Sequence, residues 1–341
     1  MTTKGPRRIA LKHGAGGRAM RQLIQEVFLS LASPVDGIGL SALDDGAALR
    51  VGDRWLVLTT DSHVVQPVFF PGGDIGRLAV SGTVNDLAMM GATEPLGLTC
   101  AAILEEGFPL EDLERIVASM KAAAREAEAP IVTGDTKVMG KGQLDGIVLN
   151  TAGIGFTDRV VSDAGLHAGD VLIVTGTIGD HGMAVMARRH DLRLEGDLRS
   201  DVAPVNGLVR RALRAGGDDV VAMKDPTRGG LAGVLHELAA KGKVGIVVDE
   251  PALPVRPEVR AAAEMVGIDP LLVANEGKAV LGVRPRSAEA VLAALRAHPQ
   301  GAQAAIFGRA VAERPGSVIL DTGFGRRMLA EPEGELLPRI C

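Results

Sequence analysis

The chain has 341 residues, enough for two domains at roughly 150 residues each, and its 46% apolar content with 44 glycines and only 2% aromatics describes an aliphatic globular protein and argues against disorder. A net charge of −5 without a basic stripe or aromatic platform argues against nucleic-acid binding, and no apolar run approaches the ~20 residues of a membrane span. Two cysteines, Cys100 and Cys341, exclude a disulfide framework and a four-cysteine zinc site and predict a cytoplasmic, reducing setting.

In chain order, the glycine-rich His13–Gly17 precedes a helical stripe of Met20, Leu23, Ile24, Val27, Phe28 and Leu31 that ends near Pro34. Trp55–Thr60 reads as a short strand closed by Asp61. A helix with Asp74 as its N-cap continues to Gly91, and another spans Leu110–Ala129. Ile131–Thr133 is strand-like and runs into Gly134-Asp135-Thr136-Lys137; Gly146–Phe156 is a further strand. The pattern lapses between Thr157 and Asp170, so the expected division is an N-terminal domain 1–160 and a C-terminal domain 161–329. In the second, strands at Val171–Thr175, Val220–Met223 and Val244–Val248 alternate with helices, one of them Leu231–Ala240. The expected class is α/β or α+β. Residues 330–341 carry little to bury and read as a flexible tail ending in a thiol. Cys100, in an apolar run, reads as a buried packing residue.

Aspartates recur at the ends of apolar segments: Asp44-Asp45 before Ala47, Asp61 after the first strand, Asp135 after Ile131–Thr133 and Asp225 after Val220–Met223. Such carboxylates suit Mg²⁺ bridging nucleotide phosphates, although aspartate is also an ordinary turn or cap residue. Asp86 falls on the apolar face of its helix with Ile75, Leu78, Ala79, Gly82 and Met89. A buried carboxylate needs a metal or a cationic partner, and Arg77 is the structural alternative. Glycine-rich turns at His13–Gly17, Gly176–Gly182 and Thr227–Gly230 each precede a helix and suit anions. No Gly-x4-Gly-Lys-Ser/Thr occurs, which excludes a P-loop, and the seven histidines show no metal-ligand spacing.

The segment Thr59–Ala92, together with HGAGG at 13–17, DDGA at 44–47, ILEEGF at 103–108, TGDTKV at 133–138, IGDHG at 178–182, DPTRGG at 225–230 and the terminal PRIC at 338–341, resembles the HypE hydrogenase maturation proteins, the carbamoyl dehydratases. That family lies in the superfamily of aminoimidazole ribonucleotide synthetase (PurM-like). The resemblance implies two α/β domains, a homodimer formed through the N-terminal sheet, and ATP bound with Mg²⁺. It further implies a carbamoyltransferase, HypF, that loads Cys341, dehydration of the thiocarboxamide to a thiocyanate, and a HypC–HypD scaffold that accepts cyanide for the iron of NiFe hydrogenase. On this resemblance Cys341, Lys137 and Glu276 are catalytic, Glu276 taking protons or holding the amide and Lys137 meeting developing charge. Asp45, Asp86 and Asp225 hold the metal. Asp61, Asp135, Thr136 and Asn150 join Asp45 and Asp86 around ATP, with Gly179, Asp180 and Arg228 from the second domain. Two other classes compete: a superfamily kinase or synthetase acting on a free small molecule, and a non-catalytic member of a maturation complex.

Overall fold

The computed structural model describes residues 8–14, 16–192, 196–332 and 339–341; Ala15 of the first glycine run and Pro338 of the terminal motif lie outside them. Two mixed α/β domains are observed, as the sequence predicts. The first sheet contains β1 (Gly37–Ile38), β2 (Ala47–Val51), β3 (Arg54–His63), β6 (Pro95–Glu105), β7 (Ile131–Met139) and β8 (Ile147–Thr157), in the order β1-β2-β3-β8-β6-β7. Only β6 and β7 pair in parallel. A small hairpin, β4 (Phe69–Phe70) and β5 (Gly73–Asp74), leads into helix α2 (Ile75–Met89).

Asp74 caps α2 as expected, accepting from the Gly76 and Arg77 amides at 2.8 and 3.0 Å. The helix is nonetheless buried almost all round: every residue except Arg77 and Asp86 is inside. It lies on one sheet face, with α3 (Leu110–Glu126) beside it. Arg77 forks onto Glu126 at 2.8 and 3.2 Å and donates to the Val202 carbonyl, so it is not the partner of Asp86.

Three local expectations need correction. β3 runs on to His63, so Asp61 lies within a strand and does not close one. β7 runs on to Met139, because its parallel ladder with β6 continues through Leu104 and Glu105; Asp135, Thr136 and Lys137 are therefore strand residues. The first helix, α1 (Gly17–Glu26), stops earlier than predicted, and Val27, Phe28 and Leu31 are exposed.

The second sheet runs β10-β12-β9-β13-β11-β14-β15, built from β9 (Val171–Val174), β10 (Val220–Lys224), β11 (Gly245–Asp249), β12 (Val280–Val283), β13 (Ala305–Val311), β14 (Val318–Asp321) and β15 (Arg326–Met328). Alternation along β9 sends Leu172 and Val174 into one core with α6 (Gly230–Gly242), and Ile173 into another with α5 (Asn206–Gly216) and α8 (Pro285–Arg296). α4 (Asp180–Arg189) and α7 (Pro257–Val266) instead join the core of the first domain. Among the described residues no helix is long and apolar enough to cross a membrane.

At the rim of the second sheet, Asp219 accepts from Arg286 Nε at 2.7 Å and Ser287 Oγ at 2.5 Å. Hydrogen bonds from Arg286 and Ser287 lower its pKa to about 2. A depressed carboxylate stabilises the fold above its unfolded value near 3.9, and that stabilisation is lost as pH falls towards 2. Arg286→Ala is accordingly expected to flatten the pH dependence of the urea midpoint between about pH 4 and 2. An unchanged profile would show that this pair does not contribute.

Candidate active site

A cavity of about 510 Å³ lies between the domains, lined by α1, the Leu43–Asp45 loop, β3, α2, the end of β10, α6, Glu276 and Cys341. It gathers residues far apart in the chain. Asp45, Asp61, Asp86, Asp225, Arg228, Glu276 and Cys341, all marked by the sequence, converge on it. Met20 and Ile24 of the predicted apolar stripe also face this space, which explains an apolar periodicity on a helix that buries only Gly17.

The carboxylates are crowded. Burial, reinforced by the charges of Asp225, Asp61 and Asp45, pushes the Asp86 carboxyl well above the usual range. Its Oδ2 lies 2.9 Å from the Thr59 hydroxyl, which is also 3.0 Å from the Asp45 carbonyl. Asp45 is raised in the same direction, chiefly by burial, and Asp225 is raised to about 6, again chiefly by burial. Asp45 Oδ2, Asp225 Oδ2 and Glu276 Oε1 are buried without a hydrogen-bond partner. Unpaired hard oxygens at such cost fit a small divalent cation. Among the described residues no three His, Cys, Asp or Glu side chains are already drawn around one point. Mg²⁺ is commonly bound through one or two carboxylates with water and substrate phosphates, and the donor set fits that mode.

Sequence reasoning missed a cation within this cluster. Lys224, the last residue of β10, forms a close ion pair with Asp45 Oδ1 and lies 3.3 Å from Asp163 and 3.4 Å from Glu237. Lys241 donates to the same Asp163 oxygen at 2.6 Å and to the Leu43 carbonyl at 2.5 Å. The signal was present, since Lys224 directly precedes Asp225 at a strand end.

Glu276 is 3% exposed, and its main chain is fixed from three sides. Its amide donates to Asp201 Oδ1 at 3.1 Å, while its carbonyl accepts from the Ala203 amide at 3.2 Å and from Asn85 at 3.4 Å. At Gly277 a Cβ would lie 1.9 Å from the Asp201 carbonyl oxygen, so only glycine permits this approach. Burial, then the charges of Asp225 and Asp61, raises the Glu276 carboxyl well above its ordinary value. Arg228 is raised by the charge on the terminal residue Cys341 beside it.

Six of the expected residues lie elsewhere. Asp135, Thr136, Lys137 and Asn150 do not line this cavity. Lys137 pairs with Asp135 at 3.2 Å, both largely exposed. The registers place Ser62, Asn150, Ala101 and Asp135 in one row across β3, β8, β6 and β7. Thr151, one residue along, hydrogen-bonds the Ala79 carbonyl of α2, so Asn150 and Asp135 occupy the opposite, open face. Gly179 and Asp180 also lie outside the lining. The Gly179 amide donates to Asn275 Oδ1 at 2.7 Å, and Asp180 is held by Thr177 and Arg256.

The tail is not left without anything to bury. Ile340 is 4% exposed and packs into the first domain's core, and Cys341 reaches the cavity. Cys100 packs against the same core, but it is half-buried where the sequence reading expects a buried residue.

Residues 43–157 match the AIR synthase related protein, N-terminal domain, and residues 167–321 its C-terminal domain. The carbamoyl dehydratase HypE of Rhizobium leguminosarum is 52% identical, the match covering 98% of this chain and 95% of the relative. A solved HypE–HypF complex contains a chain with TM-score 0.85 and 45% identity, covering 91% of this chain and 99% of that one. A structure of HypE with ATP matches at TM-score 0.81 and 43% identity, covering 98% and 100%. With such identity sustained over nearly its full length, and with both domain types in place, the chain belongs to the HypE carbamoyl dehydratase family.

Proposed function

We propose that this chain uses ATP to dehydrate an S-carbamoyl group on its own Cys341, giving a thiocyanate that supplies the cyanide ligand of the NiFe hydrogenase iron. The observation that supports it most directly is the terminal cysteine lying in the same cavity as five aspartates, Arg228 and Glu276. The carbamoyl oxygen attacks the γ-phosphorus of ATP, ADP leaves, and one N–H proton is lost. Loss of the second N–H proton then expels phosphate and leaves S–C≡N. Mg²⁺ would be held by carboxylates drawn from Asp45, Asp86 and Asp225 and would supply charge neutralisation during phosphoryl transfer. Glu276, its basicity raised by burial, takes the nitrogen proton, and Arg228 compensates negative charge on the terminal residue.

Lys137 keeps its proposed role of meeting developing charge, but it lies outside its own chain's cavity. A homodimer through the open sheet face supports that role, since Thr60, which lines the cavity, and Asp135 and Lys137 belong to this face. Exposed Leu58 and Ile154 form its apolar part. HypF as carbamoyl donor, HypC–HypD as acceptor and a cytoplasmic setting complete the reading.

The test is intact-mass analysis of the carbamoylated protein with Mg-ATP. The C-terminal peptide is expected to lose the mass of one water, and Cys341→Ala to show no such loss. The same loss in Cys341→Ala would sink the reading.

A further inference from the structure

Arg339 and Ile340 are held by groups that take no part in the chemistry just described. The Arg339 carbonyl accepts from the Gln66 amide at 3.2 Å and from Arg189 Nη2 at 2.8 Å. Arg189 is itself fixed, donating to the Gln66 carbonyl through Nε at 3.0 Å and Nη2 at 2.7 Å. The Arg339 guanidinium makes a close ion pair with Asp145. The Ile340 side chain is buried, and its carbonyl lies 2.6 Å from His181 Nε2.

Hydrogen-bond chemistry fixes the tautomer of His181. A carbonyl only accepts, so Nε2 carries the proton, and the Nδ1 lone pair accepts from the Ser200 hydroxyl at 2.8 Å. Ser200 Oγ in turn accepts from the Val202 amide at 3.1 Å. The Phe70 ring meets the imidazole edge-on, with centroids 5.2 Å apart. His181 thus points its Nε2 proton at the Ile340 carbonyl while Ser200 and Phe70 hold the ring from other sides.

We propose that Gln66, Asp145, His181 and Arg189 form a receptor for the chain's own C-terminal Arg-Ile-Cys, with His181 and Arg189 as positioning residues that set the Cys341 sulfur in the cavity. The two domains contribute jointly: Gln66 and Asp145 come from the first, His181 and Arg189 from α4 of the second. The receptor reads the Arg339 charge, the Ile340 side chain and two carbonyls, and none of these contacts involves the sulfur. Upstream, the chain is also held beside α1. The Arg18 amide donates to the Pro332 carbonyl at 3.1 Å, and at Gly17, with φ +67°, a Cβ would lie 2.2 Å from that oxygen.

The significance of this seating rests on Cys341 being the substrate carrier, but its test needs neither carbamoyl group nor ATP. Full-length protein is treated with iodoacetamide, and the alkylation rates of Cys341 and Cys100 are followed by peptide mass spectrometry. Removing a charge-assisted hydrogen bond in Arg189→Ala is expected to speed Cys341 alkylation about tenfold or more with Cys100 unchanged. Asp145→Asn, which weakens an exposed pair, is expected to give a smaller rise. His181→Ala removes a buried ring and can unfold the chain, so Arg189→Ala is the deciding variant. In turnover, Arg189→Ala is expected to lower kcat for dehydration while leaving KM for ATP unchanged. Equal Cys341 rates in wild type and Arg189→Ala, or a rise shared by Cys100, would overturn the receptor without touching the dehydratase reading.

Discussion

Glu276→Gln is expected to slow dehydration about 10²–10⁴-fold, the usual worth of a positioned general base, while S-carbamoylation of Cys341 and ATP binding persist. The substitution preserves shape, exchanges one accepting oxygen for a donating amide and removes the basic site. The backbone at this position is fixed by Asp201, Ala203 and Asn85, so the amide occupies the space of the carboxylate. Glu276 Oε1 is buried with no hydrogen-bond partner, an arrangement that costs stability and points to a role in the cavity. Burial raises its pKa, so the group that takes a weakly acidic N–H proton is a stronger base than an exposed glutamate. The measurement is single-turnover loss of water from the carbamoylated C-terminal peptide. A wild-type rate would reduce Glu276 to a residue that frames the loop, and Glu276→Asp, with a base one methylene short, is expected to fall between the two.

The fold class and much of the cavity were legible because they rest on local rules. The Asp74 cap sits at the start of α2, and the Asp45, Asp86 and Asp225 positions follow from strand ends and helix periodicity. The reasoning that marked Asp86 was less sound than its result. α2 is buried on nearly every side, so the stripe did not single out a core face, and Asp86 is distinctive for facing the cavity. Asp135 and Lys137 illustrate what a local reading cannot supply. Gly134 looks like a strand stop, yet the β6 ladder carries β7 through it to Met139 and turns the Asp135 and Lys137 side chains onto the open sheet face. The tail shows the same limit. A proline- and glutamate-rich end has little apolar surface, but one isoleucine and two main-chain carbonyls suffice when the fold already presents His181, Arg189 and the Gln66 amide to them. Lys224 went unread because a row of aspartates suggested a metal, whereas the fold places an ammonium against Asp45 as well.

Asp86→Asn is expected to abolish ATP-dependent dehydration and, at pH 7, to make the protein more resistant to heat. Function and stability separate here because burial disfavours ionised Asp86 and the cavity concentrates like charges, Asp225, Asp61 and Asp45 disfavouring it further. Against these stands the Thr59 hydroxyl, whose hydrogen bond to the Asp86 oxygen an asparagine carbonyl preserves. Neutralising the group therefore removes repulsion without orphaning Thr59. Each pKa unit of such repulsion corresponds to about 1.4 kcal/mol, and in a domain of this size about 1 kcal/mol raises Tm by about 2–4 °C. The same change removes one of the three carboxylates assigned to Mg²⁺, so phosphoryl transfer loses its charge neutralisation and dehydration falls by about 10²-fold or more. Calorimetric Tm and intact-mass turnover on the same preparation decide the matter. A variant that is both active and unchanged in Tm would show Asp86 to be a buried structural acid, and one that is inactive but destabilised would show that its charge is paired within the fold.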